Sequence, residues 1–403
     1  MIRLSIVGVC PRFCTLLALG VLGCNGEVDL GGPSTNGSAT SDTVARQVEA
    51  AAGTEVVSHF QGIRNFTTIV TDKDYLYFET LDSSTNASIQ RCRKSDCSGT
   101  LKLLTQPFNY SNVTGLILQG GHLSWLDGKA GLKVCEPPDC ANERVVQGYA
   151  GDAWTATGPS VMMDESQFYW YLFVDSAIYS CALADCIGGP KLLAPNVQLN
   201  SMVVVAGYVY WVDQAPGVMR AAKDGSGTPE RLNLDGQGTW GASLLDTSGL
   251  KALYGVDNIA VDGPWIYATL YSDASVSTGS SNCTNCVAGK NLIRFRHSEP
   301  APALEWLHLD GTMPQAAGYD GGFDAVFGGE LFWVTQEGNL WSCLVDNCSA
   351  TRRQLGANFY NYSANSGFAV DDTDIYWLST PYPAGSTHFG QDWNLKRTPR
   401  IAQ

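Results

Sequence analysis

Tyr169-Trp170, then Ala177-Ile178-Tyr179-Ser180-Cys181, then Lys191-Leu192-Leu193, is one unit of a pattern that recurs along this chain. The aromatic pair returns as Tyr77-Phe78, Ser124-Trp125, Tyr210-Trp211, Tyr267-Ala268, Phe332-Trp333 and Tyr376-Trp377. Measured at the second residue of each pair, the steps are 47, 45, 41, 57, 65 and 44 residues. A period near 45 suits a four-stranded propeller blade. Each unit opens on an apolar strand such as Thr68-Ile69-Val70 or Phe368-Ala369-Val370. A tight turn follows, as in Thr71-Asp72-Lys73-Asp74, Phe327-Gly328-Gly329-Glu330 and Asp371-Asp372-Thr373-Asp374. The aromatic strand and two further strands complete the unit.

Seven units can be counted, and the seventh is one strand short after Leu395-Lys396-Arg397. The chain has a spare strand at the other end. Gly53-Thr54-Glu55-Val56-Val57-Ser58-His59-Phe60 reads like Gly99-Thr100-Leu101-Lys102-Leu103-Leu104-Thr105-Gln106, the outer strand of the first unit. An open array would expose a blade face and a strand edge, so the two ends are expected to share one blade. The expected fold is therefore all-β, a seven-bladed β-propeller over 54–403 closed by pairing of its N- and C-terminal strands. Middle strands of a propeller are covered on both faces, so the aromatic pairs read first as packing between blades rather than as ligand platforms.

Bulk composition agrees. Of 403 residues, 44% are hydrophobic and 16% charged, a globular balance. The net charge of −14 argues against nucleic acid as a partner, because phosphate binding needs clustered cations. Residues 1–23 read as a signal peptide. Arg3 and Arg12 flank the start of the apolar run Phe13–Leu22, which is too short to span a bilayer. The run ends in Val21-Leu22-Gly23-Cys24, which resembles a bacterial lipobox and marks Cys24 as the lipidated residue. The alternative is an ordinary signal peptide with an incidental Cys. Residues 24–53, rich in Gly, Ser, Thr, Asn and Asp, then form the lipidated Cys and a flexible tether.

Thirteen Cys are present. Cys10 and Cys14 leave with the signal peptide and Cys24 takes the lipid. The remaining ten fall into close pairs: Cys92-Cys97, Cys135-Cys140, Cys181-Cys186 and Cys343-Cys348 with spacing C-x4-C, and Cys283-Cys286 with spacing C-x2-C. In an oxidising compartment disulfides are the default. The four C-x4-C pairs fall between the third and fourth strands of their units, where a short hairpin brings its flanks within disulfide reach. Each small ring is worth about 2 kcal/mol in the loop-entropy picture. Metal binding is the weaker alternative, least weak at Cys283-Cys286.

The fourth unit carries Val209-Tyr210-Trp211-Val212-Asp213 and Val218-Met219-Arg220-Ala221-Ala222-Lys223-Asp224-Gly225-Ser226. This resembles the YWTD repeat of low-density-lipoprotein-receptor-type propellers, with Val212 in place of the Thr. Those propellers have six blades, whereas seven units are counted here. The Tyr-Trp units followed by C-x4-C look more like blades of uncharacterised lipoproteins of myxobacterial type. That resemblance implies fold and cell-envelope location, at the outer membrane or cell surface or on the periplasmic side, and carries no catalytic residue and no ligand.

Catalytic patterns such as HExxH, GxSxG, a Walker loop or a dinucleotide fingerprint are missing. His59, His122, His297, His308 and His388 are scattered among units. Asp-rich turns such as 371–374 fit calcium, but fit turn formation better. No cofactor is expected, and the chain is expected to act as a monomer.

In an up-and-down blade the Asp turns and C-x4-C hairpins share one face of the disc. The irregular segments 149–160, 236–257, 272–290, 311–322 and 380–393 belong to the other. They contain Trp154, Trp240, Tyr254, Tyr319, Tyr382 and Trp393. Two function classes stay open. One is an envelope lipoprotein that binds a protein or glycan through these aromatics. The other is a propeller enzyme, a metal-dependent hydrolase or lyase, working at the axial channel. The aromatics also suit simple packing of their own loops.

Overall fold

The computed structural model describes residues 53–401 with breaks, the longest at 149–160, 233–252, 273–288, 308–324, 357–366 and 380–391; residues 1–52 lie outside the described part. Twenty-nine strands are described, and their order follows the repeat. β1 (Glu55–Gln61) precedes blade one, which holds β2 (Asn65–Thr71), β3 (Tyr75–Leu81), β4 (Asn86–Arg93) and β5 (Lys102–Leu103), with β6 (Phe108–Asn109) also paired to β4. Blade two holds β7 (Ile117–Gln119), β8 (His122–Asp127), β9 (Gly131–Cys135) and β10 (Arg144–Gly148). Blade three holds β11 (Val161–Met163), β12 (Gln167–Leu172), β13 (Ala177–Ala182) and β14 (Lys191–Ala194). Blade four holds β15 (Leu199–Val205), β16 (Tyr208–Asp213), β17 (Val218–Ala222) and β18 (Glu230–Arg231). Blade five holds β19 (Leu253–Asp262), β20 (Trp265–Ser272), β21 (Gly289–Arg296) and β22 (Glu305–Leu307). Blade six holds β23 (Ala325–Phe327), β24 (Glu330–Val334), β25 (Leu340–Leu344) and β26 (Arg353–Gly356). Blade seven holds β27 (Phe368–Val370), β28 (Asp374–Ser379) and β29 (Asp392–Pro399), and its fourth strand is β1.

The chain is thus an all-β, seven-bladed propeller, and its ends meet in one blade. β1 runs antiparallel to β29, from Glu55 opposite Arg397 to Gln61 opposite Asp392, with one bulge between Val56 and Ser58. The first strands of the blades approach one another around the axis: β2 with β7, β7 with β11, β11 with β15, β15 with β19, β19 with β23, and β27 with β2. These central strands carry apolar runs such as Val161-Met162-Met163, Ile259-Ala260-Val261 and Phe368-Ala369-Val370, with polar residues among them, such as Thr68, Ser201 and Asp257.

The aromatic pairs fill the blade boundaries by a simple rule. Successive strand residues point to opposite faces, so the two members of a pair serve two boundaries. Tyr77 packs on Leu123 and Trp125 of the next blade, while Phe78 packs on Phe60 and Trp393 of the preceding one. Tyr169 joins Met202 and Trp211 ahead, and Trp170 joins Leu126 and Leu132 behind. Phe332 meets Phe368 and Trp377 ahead; Trp333 meets Tyr267 and Leu292 behind. Every boundary between successive blades has its own apolar cluster. Trp125, Trp211 and Trp377 are at most 1% exposed, so the packing reading of the pairs holds.

Disulfides clasp three of the C-x4-C hairpins, Cys92–Cys97, Cys135–Cys140 and Cys343–Cys348, and Cys181 lies beside Cys186 at the matching place in blade three, with Cα atoms 5.4 Å apart. Cys283 and Cys286 lie outside the described residues. In blades one and six the hairpin winds into a single helical turn, α1 (Cys97–Thr100) and α2 (Cys348–Thr351). Asp96 caps the first, accepting from the Gly99 amide at 2.9 Å.

Candidate functional site

The two ends of the blade strands differ in kind. At one end, the first and second strands of every blade are joined by turns of two or three residues: 72–74, 120–121, 164–166, 206–207, 263–264, 328–329 and 371–373. The third-to-fourth hairpins with their Cys pairs emerge at the same end. At the other end are the second-to-third connections and the steps between blades, including all six of the longest breaks named above.

The short-turn end is a closed circuit of polar contacts between blades. Asp139 of blade two accepts from Arg91 and Lys102 of blade one, each at 2.6 Å. Arg144 of blade two donates to the Leu183 carbonyl of blade three at 2.6 Å. Lys223 of blade four pairs with Asp164 of blade three at 2.9 Å. The Tyr210 hydroxyl donates to the His297 carbonyl of blade five at 2.9 Å. Asp262 of blade five accepts from the Gly328 and Gly329 amides of blade six at 2.9 and 2.7 Å. Arg400 of blade seven donates to the Phe327 carbonyl of blade six at 2.7 Å. Lys94 of blade one closes the circuit on Asp371 of blade seven at 2.5 Å.

Local sequence explains why these groups meet. The turn Asp at 72, 164 or 371 accepts from the backbone amides two and three residues on, an Asx turn that fixes the carboxylate. In blades one and three a Tyr five residues later reaches back to the same Asp: Tyr77 to Asp72 at 2.7 Å and Tyr169 to Asp164 at 2.9 Å. The residue after the third strand donates its amide to its own blade's turn, Lys94 to the Asp74 carbonyl, Lys223 to Gly207 and Arg400 to Thr373, and from there its side chain reaches the preceding blade. Gly328 has a φ of +53°, which favours glycine, and its lack of a side chain leaves room for the Arg400 guanidinium, which a Cβ would meet at 2.6 Å.

The electrostatics follow the geometry. Burial pushes the Asp164 carboxyl up, but the Lys223 ammonium, the Ser166 and Gln167 amides and the Tyr169 hydroxyl outweigh it, leaving the group below its ordinary range. Asp371 behaves alike: burial raises it, and Lys94 with the Thr373 and Asp374 amides lowers it further. Burial and the Asp72 carboxylate push the Tyr77 hydroxyl well above the usual phenol range, and burial with Asp371 and Asp374 holds Tyr376 up at about 12. The most buried charge is Glu330, whose side chain is 0% exposed. It pairs with Arg353 at 3.0 Å and Arg400 at 3.4 Å, and accepts from the Ile401 amide at 3.3 Å.

Asp371, which the sequence offers as a calcium ligand, has its oxygens engaged by its own turn and by Lys94. Among the described residues no group of three His, Cys, Asp or Glu side chains is placed to hold one metal ion. His59 shares a hydrogen bond with Asn394 at 2.9 Å, and His297 with the Gly263 carbonyl at 3.2 Å.

Two of the six aromatics expected on the loops are placed in strands instead. Trp393 is the second residue of β29, 3% exposed, and packs edge-on against Phe66 with ring centroids 5.5 Å apart. It belongs to the core between blades seven and one and leaves the candidate surface. The alternation Trp393-Asn394-Leu395, buried on odd positions, is the strand signal that the preceding Gly390-Gln391-Asp392 obscures. Tyr254 falls within β19, whose first residue is Leu253, so the loop before it is shorter than the sequence suggests. Trp154, Trp240, Tyr319 and Tyr382 lie outside the described residues, as does Cys24. An Asp followed five positions on by Tyr, at 72/77, 164/169, 262/267 and 371/376, marks turns of the short-turn end in the sequence, but it does not mark their partners in the neighbouring blade.

No family model matches the sequence, and no curated protein matches it. Solved propellers do. An oligogalacturonate lyase in complex with manganese superposes with a TM-score of 0.55 at 11% identity, over 87% of this chain and 95% of that one. Oligogalacturonate lyase from Vibrio parahaemolyticus gives 0.51 at 10% identity, over 85% and 93%. The β-propeller domain of the Trilobed protease from Pyrococcus furiosus gives 0.48 at 10% identity, over 84% and 97%. At such identities the likeness is one of fold.

Proposed function

We propose that this chain is a cell-envelope lipoprotein, held by a lipid on Cys24, that binds a protein or glycan through the long connections at one end of its propeller. The observation that carries this reading is the contrast between the two ends. One end is spent on holding blades together, its carboxylates and cations engaged by each other. At the other lie the strand ends from which every long connection leaves, and variable loops on a regular scaffold are where binding usually resides. Trp154, Trp240, Tyr319 and Tyr382 supply rings for stacking on a sugar or gripping a peptide. Glu55, the first residue of β1, lies opposite Arg397 at the short-turn end.

The test uses the full chain with a soluble N-terminus in place of the lipid. Trp154→Ala and Trp240→Ala variants are compared with wild type on a glycan array and in capture from envelope extract. Loss of capture at an unchanged melting temperature supports the reading; unchanged capture by both variants overturns it. Mass analysis of the mature N-terminus tests the anchor, since a diacylglyceryl group is expected on Cys24 and an unmodified Cys24→Ser chain should leave the membrane fraction.

The alternative reading is a propeller hydrolase or lyase at the axial channel. The fold likeness to a manganese-bound oligogalacturonate lyase favours trying it. Incubation with manganese and pectic oligosaccharides should yield no unsaturated product under the binding reading.

A further inference from the structure

The seam where the chain closes has a feature that no other boundary has. β1 is the ring's N-terminal strand, and hydrogen bonds, packing and the Glu55–Arg397 ion pair hold it in blade seven. Its neighbour across the boundary is the disulfide hairpin of blade one. α1 packs against β1. The Ser58 and Ser98 hydroxyls share a hydrogen bond at 3.1 Å. Cys92 and Cys97 lie in one apolar cluster with Phe60 of β1 and Trp393 and Leu395 of β29, and both sulfurs' residues are 0% exposed. The hairpin is held by the bridge and by local bonds: Asp96 accepts from the Gly99 amide, the Arg93 amide donates to Thr100 Oγ1 at 2.8 Å, the Thr100 hydroxyl donates to the Asp96 carbonyl, and the Asp96 amide donates to the Arg93 carbonyl at 3.2 Å.

We propose that the Cys92–Cys97 bridge gates the closing of the ring, by shaping the platform on which β1 docks. The coupling runs both ways, as any coupling between two equilibria must. Opening the bridge loosens α1 and with it β1. Docked β1 in turn keeps solvent thiols from the bridge. The bridge therefore forms before β1 seals the seam. β1 cannot dock until β29 is in place, so the Cys92–Cys97 pair stands open to oxidation until the ring closes. In a reducing compartment the seam stays loose, and it tightens where disulfides persist. This inference concerns closure and stands apart from the ligand reading.

Cys343–Cys348 is the internal control. It is as deeply buried, at 0% and 4% exposure, and it packs on Tyr267, Leu292 and Trp333 at the boundary between blades five and six. Neither of those blades contains a chain end. With dithiothreitol as reductant, its thiolate attacks one sulfur and the Cys–Cys bond breaks. Its second thiol resolves the mixed disulfide. Two cysteine thiols and cyclic oxidised dithiothreitol result, two electrons having passed to the bridge.

Hydrogen exchange of residues 54–61 in the full chain is the first readout. The double variant Cys92→Ala/Cys97→Ala should speed it by about tenfold or more, while Cys343→Ala/Cys348→Ala leaves it near wild type. Equal protection of 54–61 in the two double variants overturns the proposal. The second readout needs no cysteine change. Phe60→Ala on β1 should raise the rate at which dithiothreitol reduces Cys92–Cys97, followed by alkylation and mass spectrometry, about tenfold relative to Cys343–Cys348. If Phe60→Ala accelerates both bridges equally, opening is global and the proposal fails. This second readout decides the matter should the first double variant not fold.

Discussion

The short-turn end and the long-connection end of this propeller are made from the same seven blades, yet they spend their sequence differently. At the short-turn end almost every polar residue has a structural task. Asp164 fixes its own turn, accepts from Tyr169 and receives Lys223 from the next blade. At the long-connection end, the described strand termini carry polar pairs that stay within one blade, such as Thr80 with Ser88 and Asp127 with Lys133. The lesson is one of division of labour. A ring of blades must be held against splaying, and here one rim does this by polar contacts while the apolar clusters between blades supply the bulk of the energy. The opposite rim is left free to vary in length.

The largest test of this division pits one boundary tryptophan against one loop tryptophan. Trp211 is 1% exposed among Tyr169, Met202 and Val209. Trp211→Ala removes a large buried ring and leaves a cavity, so unfolding by denaturant should show a loss of about 3–5 kcal/mol. Trp240→Ala should change stability by less than about 0.5 kcal/mol and abolish ligand capture. A Trp240 variant that melts early and still captures would reverse the roles of the two residues.

Next in size is the clasp at the chain's end. Glu330 is a fully buried carboxylate that relies on Arg353 and Arg400. Arg400 also lies 4.9 Å from the Phe327 ring centroid. Arg400→Ala leaves the buried charge half-compensated, and removal of one partner from a buried pair costs about 3 kcal/mol. Glu330→Met, which removes the charge with its need for partners, should cost less. Denaturant midpoints for the two variants check this order, and ligand capture should survive in both wherever the ring still folds.

How much of this was legible beforehand depends on whether a feature repeats. The blade count and the closure by β1 were legible because each rests on a periodic signal, and the exchange of one missing strand for one spare strand left a single topology. That the aromatic pairs pack between blades was legible too, since the middle strands of a blade are covered on both faces. Polar contacts between blades were not. Lys94 meets Asp371 across 277 residues of sequence, and no local pattern announces a partner that far away. Trp393 failed for a different reason. The Gly390-Gln391-Asp392 run before it reads as loop chemistry, yet the strand begins at Asp392, so an error of two residues moved a core ring onto a presumed surface. Boundaries between a loop and a strand are set by register with the neighbour, here Trp393 opposite Phe60, and that pairing is tertiary.

Acid offers a graded test of the short-turn rim. Asp164 and Asp371 both titrate lower in the folded ring than in an unfolded chain. A depressed folded value means stability that is fully present above the unfolded value, about 4, and lost as pH falls through the folded one. Melting temperature should therefore be insensitive to these groups from neutral pH down to about 5 and fall below about 4. Asp164→Asn should flatten part of that acid fall while lowering stability at neutral pH. An acid fall of unchanged steepness in the Asn variant would show that Asp164 is not among the groups that drive it.

The smallest effect is expected where the rim contact is most exposed. Asp139 receives both Arg91 and Lys102, and these cations hold its carboxyl down at about 2, but its side chain is 52% exposed. Water and salt screen such a pair, and ordering two long side chains offsets much of the attraction. The boundary it spans has its own buried cluster in Tyr77, Ile89, Leu123 and Trp125. Asp139→Asn should thus shift the melting temperature only slightly, and that shift should vanish in concentrated salt. A large, salt-resistant drop would mean that the polar circuit, and not the apolar cluster behind it, keeps blades one and two together. The division of labour between the two ends would then have to be redrawn, with the rim as the main restraint on the ring.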